Sequence, residues 1–358
     1  MPDLKKKSYD HTLLVTLFLI MIIGLVILYS TSAYNGEVKF HDSFYYLKKQ
    51  LFATGLGVVA MFVMAGTDYH FWKKFAIPAY LGAILLSIAV VLFGDEYNGS
   101  KRWLSLGPFS FQPSEYAKVA VILFLAYLVT RNVEKMSSIW TMLRIMLCVL
   151  PVVGLVGASN LSTAIIILGI AAVLIFVASP RYAQFIWMGV LGCGFMTVFL
   201  ALESYRLERI AIWRNPEKYE KGYQTLQGLY AIGSGGLFGR GLGESIQKLG
   251  FVPDAQNDMI FSIICEELGL VGAGFVLILF LVLIWRFFVI ATHAEDLFGA
   301  LIGAGAMAHM MIQVILNISV VTNTIPNTGI TLPFISYGGT SVVFLLLEMG
   351  LVLSVSAG

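Results

Sequence analysis

Between Leu297 and Leu347 the chain runs for 51 residues without one Asp, Glu, Lys or Arg. A helix or strand at the surface of a water-soluble domain turns one face to solvent and carries charge there. A run this long therefore belongs in lipid. It holds two helices of the roughly 20 apolar residues that cross a hydrocarbon core, and Asn323-Thr-Ile-Pro-Asn-Thr-Gly329 offers the break between them. Further spans are expected at Thr12–Gly36, Gln50–Thr67, Phe75–Gly94, Tyr182–Leu202 and Leu268–Trp285, and at Gln112–Thr130, interrupted by Glu115 and Lys118. Ile145–Pro180 is charge-free for 36 residues, enough for two helices divided near Gly157-Ala158-Ser159-Asn160. The expected architecture is an all-α polytopic membrane protein of ten transmembrane helices, one transmembrane domain over residues 1–358.

Composition agrees. Charged residues make up 12% of the chain, about half the share usual in soluble domains, and mean hydropathy is +0.84. This excludes a soluble enzyme and a disordered protein, and a net charge of +2 excludes a nucleic-acid binder. Cys148, Cys193 and Cys265 are too scattered for a ligand cluster or a disulfide framework.

Short-loop cations orient the chain. With the N-terminus inside, Lys5, Lys6, Lys7, Lys73, Lys74, Arg131, Lys135, Arg144, Arg181 and Arg286 fall on the cytoplasmic side, against Lys39, Lys48, Lys49, Lys101 and Arg102 outside. Both termini are then cytoplasmic. Residues 204–257 form a large outer loop between the seventh and eighth helices, too long for a structureless connection. Its Trp213, Tyr219, Tyr223, Leu226, Leu229 and Tyr230 argue for order against the membrane surface.

Ionisable groups in a membrane are costly, so each invites a function. Glu115 and Lys118 stand three apart on one helical face, behind a Pro113 suited to a helix start. They form either a structural ion pair or a substrate contact. Asp258 precedes an apolar run, as an N-cap would and as a catalytic base could. From Asp258 to Phe288 is 31 residues, about 46 Å as one helix against a core of about 30 Å, so Asp258 lies at or above the outer boundary unless the helix breaks at Gly269. Glu266 and Glu267, two turns deeper, either brace helices or form a substrate or coupling site. The run Gly233-Ser-Gly-Gly-Leu-Phe-Gly-Arg-Gly-Leu-Gly243 lacks the strand–turn–helix context of a dinucleotide fingerprint. It reads as a close-packed excursion whose amides could touch phosphate or sugar. Lys101-Arg102-Trp103 is an interfacial anchor or an anion contact. The histidines show no metal spacing, and His309 reads as a hydrogen-bonded bundle residue.

Several stretches together resemble the SEDS family (shape, elongation, division and sporulation), which includes RodA, FtsW and SpoVE. They are Tyr29-Ser-Thr-Ser-Ala33, Asn98-Gly-Ser-Lys-Arg102-Trp103, Gln112-Pro-Ser-Glu115-x-x-Lys118, Tyr223-Gln224 through Gly243, and Gly250-Phe-Val-Pro253 to Asp258 and Glu266-Glu267-Leu-Gly269. The most specific is Pro326-x-x-Gly329-Ile-Thr-Leu-Pro333-Phe-Ile-Ser336-Tyr-Gly338-Gly339-Thr-Ser341, in which Thr331 resembles the division and sporulation branch. One departure stands out: where the family usually has Pro-Asp-x-Gly-Thr, this chain reads Ser159-Asn160-Leu161-Ser162-Thr163.

The resemblance implies the SEDS fold and a peptidoglycan glycosyltransferase at the outer face of the bacterial cytoplasmic membrane. It would polymerise lipid II, release undecaprenyl pyrophosphate, and work beside a class B penicillin-binding transpeptidase. Asp258 matches the family's essential acid and would be the base that activates the acceptor hydroxyl. Arg102, Glu115, Lys118, Arg209 and Arg214 are the candidate substrate-binding residues, and Glu266, Glu267, Ser336 and Gly338 the supporting ones. Pyrophosphate charge would be met by these cations or by a divalent ion, magnesium or manganese. The rival readings are a lipid II flippase and a non-catalytic scaffold for the transpeptidase.

Overall fold

The computed structural model describes residues 9–97, 100–106, 109–181 and 210–358, with isolated positions between 185 and 194. Apart from those positions, the expected seventh span Tyr182–Leu202 lies outside the described residues, as do Cys193 and Arg209.

The helices are α1 (His11–Phe40), α2 (Tyr45–Gly66), the short α3 (Tyr69–Lys73), α4 (Ala76–Phe93), α5 (Pro113–Arg131), α6 (Ile139–Ser159) and α7 (Leu161–Ala178). They continue with α8 (Tyr223–Gly235), α9 (Ile260–His293), α10 (Leu297–Val321) and α11 (Gly339–Ser356). Nine of them, all but α3 and α8, are long and apolar enough to cross a membrane, counting described residues alone. Local chemistry sets their ends. Asp10, Asp68, Asn160 and Asp296 each cap a helix by accepting from a backbone N–H of its first turn. Pro113 opens α5, where its missing N–H costs nothing. The 36-residue run divides at Asn160, which closes α6 and caps α7.

The link from α4 to α5 folds as a small antiparallel sheet in the order β1 (Asp95–Tyr97), β2 (Ser100–Leu106), β3 (Phe109–Phe111). The sequence reading had no strand here. Strand alternation now separates the two cations, because Lys101 and Trp103 share one face of β2 and Arg102 takes the other.

At the centre, α10 packs against α5, α7, α9 and α11. Small residues let these backbones approach, as small residues do between membrane helices. A β-carbon on Gly305 would come within 2.6 Å of Ile122 on α5. The innermost helices are thus the ones that carry buried Lys118, His309, Gln313 and Asn317. The termini share one face of the bundle: the Asp10 amide donates to Ser356 Oγ at 3.3 Å, and Arg286 of α9 pairs with the Asp10 carboxylate.

Helix α9 is interrupted at Gly269, whose φ of 67° and ψ of −170° are not helical. The glycine-rich excursion is spliced into this break. Carbonyls of Glu266 and Glu267 accept from the amides of Arg240 and Gly241 at 2.9 and 3.0 Å, while the amides of Leu270 and Val271 donate to Gly236 and Leu237. Four backbone groups that a continuous helix would pair internally are thereby satisfied, as burial requires. Only glycine fits there: a β-carbon on Gly269 would lie 2.3 Å from Gly239 N, and one on Gly239 would lie 2.2 Å from Glu267 O. The amides of Arg240 and Gly241 hold protein carbonyls and are not open to phosphate or sugar.

Candidate active site

On the face opposite the termini, residues 322–338 connect α10 to α11 and lie beneath Asp258. The sequence predicts a break of seven residues, Asn323–Gly329, and the connection is longer. Three contacts fix it to the chain before α9. Ser336 Oγ donates to Asn257 O at 2.6 Å, Tyr337 N donates to Gln256 O at 2.9 Å, and Asn317 Nδ2 donates to both Asp258 O and Ile330 O, at 2.9 and 2.7 Å. Gln50 of α2 receives the amide of Gly338 at 3.1 Å. Ser336 and Gly338 therefore support the backbone around Asp258.

Asp258 itself does not cap α9. The cap position is Met259, with no side-chain hydrogen bond. The carboxyl instead faces the site, where Gln224 Nε2 from α8 approaches Oδ1 at 3.4 Å and Asn327 also donates to it. Asn327 binds Gln224 Oε1 at 3.1 Å and receives the Gly329 amide at 2.9 Å, so the carboxyl's two partners hold each other. Removal from water pushes the Asp258 carboxyl up from 3.8 to about 6, with Asp254 adding to the rise. The hydrogen bonds from its own backbone, Asn327 and Gln224 act the other way.

Arg102 arrives from β2. Its Nε donates to Ser159 O at 3.2 Å, and it lines a cleft with Ser87, Ser114, Ser159 and Asn160. A β-carbon placed on Gly329 would be 3.9 Å from Arg102 Nη1 and 4.0 Å from Asp258 Oδ2. A permanent cation and a carboxyl with a raised pKa thus each come within about 4 Å of the same point above Gly329. The N-terminal turn of α7 adjoins them, Ser162 Oγ donating to Thr328 O at 2.9 Å.

The other candidates are placed differently. Glu115 and Lys118 pair at 3.1 Å, both buried, and Lys118 donates to Gln313 Oε1 at 2.9 Å. Gln313 Nε2 in turn donates to Thr331 O at 3.1 Å, so the pair meets the site from below, through its floor. Arg214 is exposed beside Trp213, whose indole donates to Asn323 O, and no described contact joins it to Asp258. Arg209 lies outside the described residues.

Glu266 braces the large loop onto α9, and Glu267 braces both that loop and helix α1 onto it. Glu266 accepts from Ser245 Oγ and from the amides of Ile246 and Gln247. Glu267 binds Lys248 Nζ and Ser30 Oγ, each at 2.7 Å, and the same ammonium reaches Ser30 Oγ and Gly243 O. No three His, Cys, Asp or Glu side chains converge among the described residues. A magnesium or manganese ion beside Asp258 would therefore draw most of its ligands from substrate phosphate and water.

Gln224, Asn327, Gln313 and Asn317 do not stand out in the sequence, because neutral amides in apolar or loop segments carry no periodic signal. Glu348 had a signal in the sequence, being the only Asp, Glu, Lys or Arg after Asp296.

Comparison with known proteins agrees with this architecture. The profile of the cell cycle protein family of FtsW, RodA and SpoVE matches residues 10–358. The chain is 41% identical to stage V sporulation protein E of Bacillus subtilis, covering 98% of both chains. It is 35% identical to a probable peptidoglycan glycosyltransferase FtsW of Geobacter sp. (strain M18), covering 98% of this chain and 97% of that one. A solved structure described as structural coordination of polymerization and crosslinking by a peptidoglycan synthase complex superposes with a TM-score of 0.83 at 30% identity, over 98% of each chain. The rod shape determining protein RodA of Thermus thermophilus gives a TM-score of 0.72 at 29% identity, over 98% of this chain and 97% of that one. Bundle, site and full-length matches agree: the chain belongs to the FtsW, RodA and SpoVE family of cell cycle proteins.

Proposed function

We propose that this protein is a peptidoglycan glycosyltransferase that polymerises lipid II at the outer face of the bacterial cytoplasmic membrane, in division or sporulation. The observation that carries the reading is that Asp258 and Arg102 both border Gly329, each within about 4 Å of one point. The ionised Asp258 takes the proton of the acceptor sugar hydroxyl as its oxygen attacks the donor's anomeric carbon. The bond from that carbon to the pyrophosphate oxygen breaks, and undecaprenyl pyrophosphate leaves with the electron pair. The proton ends on Asp258 and the anomeric centre inverts. Arg102 stands where charge grows on the leaving group. The names of the similar proteins support this reading, as do the glutamates that a transporter would need near midplane, which are here committed to the loop and α1.

The family's synthase complex supports a crosslinking transpeptidase of the class B penicillin-binding type as partner. Both termini then face the cytoplasm, as the short-loop cations require. Purified protein supplied with lipid II tests the reading. Wild type should form glycan strands, and Asp258→Asn should be slower by about 10²- to 10⁴-fold, the usual worth of a positioned base. Equal rates would sink the assignment. Vesicle translocation without polymerisation would favour the flippase, and inertness in both assays with intact partner binding the scaffold.

A further inference from the structure

Below the site a chain of side chains joins three central helices. Glu115 and Lys118 lie on α5, His309 and Gln313 on α10, and Glu348 on α11, and all five are buried. Gln313 Oε1 lies 2.9 Å from Lys118 Nζ and 3.0 Å from His309 Nε2. His309 Nδ1 lies 2.7 Å from Glu348 Oε2.

Donor counting leaves one arrangement. An ammonium only donates, so the Gln313 atom facing Lys118 is the oxygen, and its NH₂ faces the Thr331 carbonyl, which only accepts. The same oxygen faces His309 Nε2, so Nε2 carries a hydrogen. In a neutral ring Nδ1 would then be bare. A bare nitrogen and a bare carboxylate do not meet at 2.7 Å, so a proton lies between them. Wherever it sits, His309 and Glu348 together are neutral, and Glu115 cancels Lys118. A cluster without net charge is what a low-dielectric interior tolerates. Glu348 Oε1 is buried with no donor among the described residues. Charges on neighbouring helices are engaged elsewhere. Helix α7 has no titratable side chain, Glu266 and Glu267 of α9 are held by the loop and Ser30, and Arg286 pairs with Asp10. Lys48 and Lys49 of α2 bind Asp42 and Tyr45, and His70 of α3 binds Asp68 and Asp296.

We propose that His309 and Glu348 share one proton and, through Gln313, position the Gly329–Thr331 floor that Arg102 and Asp258 border. This rests on the polymerase reading above. His309 is then a positioning residue for the transfer, with no contact to substrate. With its oxygen held from two sides, the Gln313 amide cannot turn over, and its nitrogen stays on Thr331. One turn along α10, Asn317 holds Ile330 O and Asp258 O. Losing the shared proton removes the second hold on Gln313 and lets the floor shift under the reacting groups.

The experiment compares His309→Ala, Glu348→Ala and Glu348→Gln in the lipid II assay, together with ¹⁵N NMR of histidine-labelled wild type and E348Q. H309A and E348A should lose about tenfold or more in kcat with KM within about threefold, since the groups displaced act in the transition state. E348Q should keep kcat within about threefold, because its amide N–H can supply the hydrogen to Nδ1. The His309 Nε2 signal should be that of a protonated nitrogen in both proteins. E348Q as slow as E348A, H309A as fast as wild type, or a bare Nε2 overturns the proposal. Should wild type fail to polymerise lipid II, the polymerase reading falls and the NMR signal still decides the shared proton.

Discussion

Asp258 shows how a single residue's chemistry depends on its surroundings. Free aspartate ionises near 4, whereas here removal from water brings the carboxyl up to about 6. A base must be ionised to act, so the rate should fall as pH drops through about 6. An unperturbed aspartate would hold its rate to about pH 4. A pH–rate profile on lipid II reads the limb directly, and a limb near 4 would show that burial does not set the group's affinity for protons. The bond from Asn327 favours the charged form. Asn327→Ala should therefore move the limb to higher pH, and a shift downward would reverse the assignment. Asp258 stood out in the sequence as a carboxylate at a span boundary. Its partners did not, because Gln224 and Asn327 lie 34 and 69 residues from it and only folding brings them to it.

The splice between α9 and the glycine-rich excursion belongs to the scale of elements. Gly269 sits in a region of backbone space open almost only to glycine. Gly269→Ala should cost about 2 kcal/mol or more from backbone strain alone, seen as a lower Tm in detergent and faster proteolysis of residues 236–250. An unchanged Tm would mean that the break is not strained. Lys248 and Glu267 clamp the same region, their side chains 8% and 0% exposed. Removing one partner by Lys248→Met should cost about 3–5 kcal/mol, and adding Glu267→Met should recover most of it, because a lone buried charge is worse than none. Thermal melts of the single and double variants check this. The density of glycine was plain in the sequence. Its purpose was not, because the partners are carbonyls of a helix more than twenty residues further on.

For the whole molecule, the meeting of Asp10 with Ser356 and Arg286 puts both ends of the bundle on one face, opposite Asp258 and Arg102. Tags at the two termini should therefore be reached or protected together by an impermeant reagent added to intact cells. A cysteine at Lys39, which pairs with Asp254, should show the opposite accessibility. Opposite accessibility of the two tags would contradict the packing. The central position of α5 and α10 also explains why these helices tolerate polar side chains. Their neighbours supply the hydrogen-bond partners that lipid cannot.

Hydrophobic patterning alone determined the class of fold and the approximate places of the nine described spans, because lipid accepts only apolar, internally hydrogen-bonded helices of fixed length. The same constraint made the few charges conspicuous and pointed to Arg102, Glu115, Lys118 and Asp258. Tertiary structure decided their partnerships. It set Asp258 and Arg102 on either side of Gly329, turned Glu115 and Lys118 inward to Gln313, gave Glu266 to the loop and Glu267 to the loop and α1, and joined His309 to Glu348. These pairings follow from distances between helices far apart in the chain, and sequence spacing carries no record of them.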